Sequence, residues 1–187
     1  MNTPSSPQID LTQSVSRWPL GVLCRRLLWQ GLLKPLFLIL PGPANGLRIH
    51  LLRMMGANIG KRCLVSKGVD VLMPWNLELA SCVALGKGVR IYNYAKVRIG
   101  RMTLVSQGSH LCTGSHDHTH PHMPLIWKPI NIGEECWIAA EAFLAPGVVV
   151  GNGCVVGARS VVTKNLPEWT VCAGNPCVSL KPRIIRT

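Results

Sequence analysis

Six aliphatic residues in the second half of the chain stand six positions apart: Ile132, Ile138, Leu144, Val150, Val156 and Val162. Upstream, Ile59, Val65, Val71, Leu77, Val83, Val89 and Ala95 keep the same step. At half apolar usage, thirteen such hits arise by chance about once in 8,000 trials, and free choice of frame weakens that to roughly one in a few hundred. Neither a helix nor an ordinary strand has this period. A six-residue repeat marks a β-helix, in which each repeat supplies one short strand and one corner. A small residue often follows an inward aliphatic, as in Leu85-Gly86, Ile99-Gly100 and Val156-Gly157, where it lets the chain turn a tight corner. The expected class is mainly β: a left-handed parallel β-helix with an N-terminal helical segment and one extruded loop.

The 187 residues fit one folding unit. Its 48% hydrophobic content, against 15% charged residues, excludes a disordered chain. With only two Phe and two Tyr the core is aliphatic, which suits thin stacked layers. A net charge of +12 points to an anionic partner or to a solvated basic surface. Nucleic acid is not expected, since no motif for it appears. The eight cysteines form no CxxC pair. Cys136, Cys154 and Cys172 are eighteen apart, three repeats of six, and are read as small buried thiols stacked on one corner. With no secretory leader pattern in the first ten residues, a reducing cytoplasm is the expected compartment.

Residues 1–57 divide into an arm over 1–16 and two helices. Trp18 to Ile39 is strongly apolar but carries Arg26, Gln30 and Lys34 at helical spacing, giving an amphipathic helix that Pro35 ends or kinks. Its apolar side meets either an anionic membrane surface, where cations beside Trp and Leu are the interfacial pattern, or protein. A second helix is expected over Ala44–Met55, stopped by Gly56. Residues 58–187 form the repeat domain. The frame slips near residues 95–99, and the beat is lost from Cys112 to Asn131, which must leave the coil as a loop. The tail from Leu166 departs from the beat and ends in Lys181, Arg183 and Arg186.

The extruded loop reads Thr113-Gly114-Ser115-His116-Asp117-His118-Thr119-His120-Pro121-His122, and five of the six histidines lie between positions 110 and 122. Zinc ligation, a general base and a mobile polar loop are three readings of these residues. No His-Glu-x-x-His spacing sharpens the first.

The repeats, the T-G-S-H-D loop, Cys136-Trp137-Ile138-Ala139-Ala140, Val156-Gly157-Ala158-Arg159-Ser160-Val161-Val162-Thr163-Lys164 and Ala173-Gly174-Asn175-Pro176 together resemble the hexapeptide-repeat O-acetyltransferases. Within that family the chain is similar to the colanic acid biosynthesis branch, beside the galactoside, maltose and nodulation-factor acetyltransferases. The likeness covers about residues 17–183. It implies transfer of acetyl from acetyl-CoA to a sugar hydroxyl, without a metal, in a homotrimer with active sites between subunits. It places the catalytic base on His116 and an oxyanion-binding N–H on Ala140, where relatives carry Ser. Asn93 matches a substrate-binding position, and Asp117 is a candidate to contact substrate or orient His116. Trp137, Ala158, Thr163 and Lys164 match cofactor-lining positions, and Lys181 and Arg183 are candidates for the CoA phosphates. The rival readings are a zinc enzyme resembling the gamma-class carbonic anhydrases and a non-catalytic hexapeptide scaffold. The acceptor is read as a saccharide of exopolysaccharide synthesis, handled in the cytoplasm or at the inner face of the membrane.

Overall fold

The computed structural model describes residues 9–14 and 18–186, so the expected arm over residues 1–16 falls mostly outside it. From Asn58 the chain winds around three flat faces. Face A stacks Asn58–Ile59, Leu77–Leu79, Val97–Ile99, Ile130–Ile132 and Val149–Val150. Face B stacks Leu64–Val65, Ala84–Leu85, Leu104–Val105, Trp137–Ile138, Val155–Val156 and Thr170–Ala173. Face C stacks Asp70–Val71, Arg90–Tyr92, His110–Cys112, Phe143–Leu144 and Val161–Val162. Neighbours within each face pair in parallel, so each coil takes its hydrogen bonds from the coils above and below. Leu64 N, for example, donates to Val83 O at 2.9 Å, and Ala84 N to Thr103 O at 3.0 Å.

Alternation along such short strands sends one side chain in and the next out. Twelve of the thirteen beat residues are buried, and Ala95 is half-buried. The beat nevertheless mixes two registers. Ile59 pairs with Leu79 and Leu79 with Ile99, so the early coils are twenty residues long. Ile132 pairs with Val150, and Leu144 with Val162, so the later coils are eighteen. Leu77, Val83 and Val89 are inward residues two positions ahead of the strand residues Leu79, Leu85 and Ile91. The slip expected near residues 95–99 is therefore one of two. Both occur at the corner between faces C and A, around Met73–Asn76 and Asn93–Lys96.

The small residues after the beats answer to the neighbouring coil more than to backbone twist. A Cβ on Gly86 would lie 2.6 Å from Gln107 N, and one on Gly133 would lie 2.5 Å from Asn152 Oδ1. The tail also differs from expectation in its first half. Leu166 bridges to Val150 and Cys172 pairs with Val156, both buried, before Val178–Pro182 turns back antiparallel and closes face B.

The N-terminal helix runs over Leu20–Leu27 and Lys34–Ile39 with a π-helical stretch, Leu28–Leu33, between them. Pro35 neither ends nor sharply breaks it. The wide π turn just before Pro35 relieves the clash its ring would make with the carbonyl of the preceding turn. The amphipathic pattern is present, but its polar stripe faces the coils. Lys34 pairs with Asp70 at 2.6 Å, Trp29 Nε1 donates to Val71 O at 2.9 Å, and Trp29 and Phe37 are buried. The leucines face outward. The second helix, Asn45–Met54, ends at Gly56, whose φ of +93° suits glycine. Its Arg48 is buried and satisfied by carbonyls alone, donating to Val65 O at 2.7 Å, Pro41 O at 2.8 Å and Gly42 O at 2.7 Å. Both helices join the coils in one continuous core.

All eight cysteines are free thiols. Cys136 and Cys154 share the corner before face B, but Cys172 falls out of that expected stack, pairing with Val156 inside the face-B strand with its Sγ 3.9 Å from Cys154 Sγ. Burial pushes the Cys136, Cys154 and Cys177 thiols up, away from the reactive thiolate. Native alkylation followed by mass spectrometry should modify exposed Cys24 first and reach Cys136, Cys154 and Cys172 only after denaturation. Prompt labelling of those three would contradict their burial.

Candidate active site

The extruded loop is an antiparallel hairpin. Gly114–His116 pairs with Leu125–Trp127, with Gly114 opposite Trp127 and His116 opposite Leu125. Its excursion is shorter than the sequence suggested, because Cys112 still belongs to face C and Ile130 and Asn131 to face A. The hairpin leaves at the same corner that carries the two earlier slips. There Met73, Asn93 and Thr113 are all buried, twenty residues apart. Asn93 Oδ1 accepts from Met73 N at 2.9 Å, and its Nδ2 donates to Met73 O at 2.8 Å. Thr113 Oγ1 donates to Tyr92 O at 3.1 Å and accepts from Ala95 N at 3.0 Å. Asn93 is thus fully buried with its amide committed to Met73. These bonds shape the root of the hairpin.

At the hairpin's end His116 is exposed, and its Nδ1 lies 2.6 Å from Met123 O. A carbonyl can only accept, so Nδ1 carries the hydrogen and the lone pair of neutral imidazole sits on Nε2. Met123 has a left-handed backbone, φ +41°, in the turn that presents this carbonyl. Nothing in the sequence marked Met123. Asp117 does not orient His116. Its Oδ1 accepts from Thr119 N at 3.0 Å and Thr119 Oγ1 at 2.6 Å, and those bonds hold its carboxyl below the usual range. The other imidazoles fasten the loop: His120 Nδ1 accepts from His122 N at 3.1 Å, and His122 Nδ1 lies 2.9 Å from Asp10 O. Among the described residues no three His, Cys, Asp or Glu side chains converge as a metal-holding group. His110 stands apart on face C, edge-on to Tyr92 and Phe143, and burial followed by the charge of Arg90 lowers its pKa.

The N-terminal residues reach this hairpin, which the sequence did not foretell. Asp10 N donates to Pro121 O at 3.0 Å, and Ser14 Oγ to Met123 O at 3.4 Å, the carbonyl that also holds His116. Leu11, Ser14, His116 and Met123 line one shallow depression. Trp18 stacks on Tyr94 at 5.6 Å and Trp127 at 5.3 Å beside the hairpin root.

The expected cofactor positions lie elsewhere on the prism. Trp137 is exposed on face B, its Nε1 donating to Ser106 Oγ at 2.9 Å. Register places Leu104, Trp137, Val155, Val171 and Lys181 along one outward row. At about 4.8 Å per strand, Trp137 and Lys181 are roughly 14 Å apart. Ala140 and Ala158 stack on the corner between faces B and C, where Arg159 N donates to Ala140 O at 2.9 Å. Among the described residues the Ala140 N–H has no hydrogen-bond acceptor. Thr163 and Lys164 are exposed at the next corner, after Val161–Val162. Arg183 is held by the fold: Nη1 donates to Glu135 O at 2.6 Å and Gly153 O at 2.9 Å. Arg183 also lines the nearby depression together with Lys181 and Arg186.

Residues 129–164 match the bacterial transferase hexapeptide model of six repeats. WcaF of Escherichia coli, named for acetyl transfer in colanic acid biosynthesis, is 43% identical over 157 residues, covering 84% of this chain and 86% of that protein. The chain belongs to the hexapeptide-repeat acetyltransferases. The galactoside O-acetyltransferase of E. coli is 30% identical over 142 residues, covering 74% of this chain and 68% of that protein. A hexapeptide-repeat acetyltransferase of Vibrio cholerae, solved with acetyl coenzyme A, superposes with a TM-score of 0.82 at 23% identity, covering 89% of this chain and 91% of that one. The left-handed parallel β-helix read from the beat is the fold these neighbours share.

As in any member of this family, the question is which groups meet. In a single chain His116 lies against Leu11, Ser14 and Met123, and not against the Ala140–Ala158 corner. The tautomer assignment can be checked alone. Long-range ¹H–¹⁵N NMR of neutral His116 should show a protonated Nδ1 and a bare Nε2; the opposite tautomer would remove the role given to the Met123 carbonyl.

Proposed function

We propose that this acetyltransferase moves acetyl from acetyl-CoA to a hydroxyl of a saccharide in exopolysaccharide synthesis, with His116 as general base. The observation that carries this reading is the Nδ1 contact with Met123 O, which leaves Nε2 as the free basic atom on an exposed ring. An alcohol is a weak nucleophile near neutrality, and a positioned imidazole compensates by accepting its proton during attack. The acceptor O–H hydrogen passes to Nε2 while the oxygen bonds to the thioester carbonyl carbon. The Ala140 N–H donates to the resulting oxyanion. Collapse breaks the C–S bond, and the imidazolium returns the proton to the departing CoA sulfur. Trp137, Ala158, Thr163 and Lys164 border the cofactor, and Lys181 and Arg183, with Arg186 beside them in one depression, meet its phosphates. The names of WcaF and of the galactoside enzyme support the acceptor class.

His116 and the Ala140 corner come together across two copies in this reading. Face B supplies the apolar surface for that assembly: Leu64, Leu104 and Trp137 point outward and are 48%, 42% and 45% exposed. Face A instead turns out Glu78, Arg98 and Asn131, which pair with one another and with Lys96. The assembly in this reading is a homotrimer, supported by the exposed aliphatic row of face B and by a cleft shared between neighbouring chains.

His116→Ala should lower turnover by roughly 10²–10⁴-fold in a thiol-release assay while the assembly persists. Near-normal turnover would remove His116 from its role, and a larger loss on changing His118, His120 or His122 would move the base. Analytical ultracentrifugation should show a trimer at assay concentration; an active monomer there would refute the shared cleft.

A further inference from the structure

The N-terminal helix is built with its apolar side outward. Leu20, Leu27, Leu32 and Ile39 are 76%, 74%, 65% and 72% exposed, and Leu23, Leu28 and Leu36 lie exposed along the same twenty residues. Inward positions carry Trp29, Phe37 and the Lys34–Asp70 pair, so the helix is anchored without this row. Among the described residues no helix is long and apolar enough to cross a membrane. The surrounding charge is one-sided. From Leu11 to Val69 the sequence holds nine Lys and Arg and not one of the chain's eight Asp and Glu. On the helix itself Arg25 and Arg26 flank the leucine row, with Arg25 over Trp75 and Arg26 over Trp18.

We propose that this row seats the protein on an anionic lipid bilayer, the helix lying in the plane of the interface with its leucines among the acyl chains. An apolar face rimmed by cations is the composition that such surfaces bind. Charge decides against a second copy of the chain as the occupant. Lys34 is paired with Asp70 and Arg48 is buried, so the cations left on this helix are Arg25 and Arg26. Two copies meeting here would bring both pairs together with no Asp or Glu on either helix, whereas phosphatidylglycerol supplies anions. The face is distinct from the outward row of face B, to which the proposed function gives the subunit contact. The inference stands independently of the acetyl-transfer reading.

The test uses the full-length protein and vesicles of phosphatidylglycerol and phosphatidylcholine at 3:7, with pure phosphatidylcholine as the control. Cosedimentation at low salt should favour the anionic vesicles by about ten-fold or more, since each cation near such a surface contributes about five-fold. Raising salt should reverse the binding. Cys24, exposed on the same helix, reports contact directly: anionic vesicles should slow its reaction with a water-soluble maleimide. The double variant Leu27→Gln/Leu32→Gln should weaken vesicle binding by about ten-fold or more. Its melting temperature and sedimentation mass should stay those of the parent, because neither side chain is buried. Failure of the parent to bind anionic vesicles at low salt overturns the proposal. So does undiminished binding by the double variant, or a change in its oligomeric mass, which would assign the row to a contact between copies.

Discussion

Every coil of this protein depends on its neighbours for backbone hydrogen bonds. A strand of two or three residues has no stability of its own, and the ladder from Leu64 through Ala84, Leu104 and Trp137 holds because each N–H finds a carbonyl on the next coil. That requirement sets the coil length, the burial of one aliphatic residue per strand and the closeness of the corners. Departures must therefore happen at a corner and must be repaired there. The enlarged corners at Met73–Asn76 and Asn93–Lys96 are repaired by the Asn93 amide, which replaces the missing ladder bonds to Met73. The hairpin opens one coil further along, over Thr113, which bonds down to Tyr92 and Ala95. The His116 support is thus a continuation of two smaller expansions beneath it.

Much of this was legible in the sequence, because inward positions tolerate little besides aliphatic side chains. The beat located both blocks of coils and the interruption between them. It could not separate strand residues from inward residues two positions ahead, since Leu77 and Leu79 are both buried. The two-residue expansion was invisible at Met73–Asn76 for that reason and visible only as a stumble near residue 95. At the site, the motif picked out His116 but not its partner, since a backbone carbonyl has no letter in the sequence. The hold of Asn93 on Met73 was not legible either, because an amide serving the backbone and one serving a ligand look alike on paper. Arg183 likewise has a structural task with no mark in the sequence: its guanidinium fastens the carbonyls of Glu135 and Gly153.

The outward positions obey no such code, and the three faces have diverged. Face A is a charged surface, with Glu78 between Lys96 and Arg98. Face B exposes an apolar row ending in Lys181. The first coils of face C lie under the N-terminal helix, through Val71 and Asp70. Amphipathicity alone showed that the helix has two sides; which side met the coils followed from Trp29 and Asp70, an indole N–H seeking a carbonyl and a carboxylate seeking a lysine. The leucine side was left outward.

The hairpin's two stalks are tied to each other before they reach its tip. Lys128 N donates to Thr113 O at 2.9 Å, and the pairing of Gly114 with Trp127 continues from there. Ile130 then resumes face A beside Val97, as if nothing had intervened. The scaffold consequently registers only that the chain departs and returns at one point, whatever lies between. Residues beyond the tie can be lengthened, shortened or exchanged without disturbing a single rung. Chemistry and architecture can then evolve on separate schedules, the hairpin as an interchangeable cassette and the prism as its fixed socket.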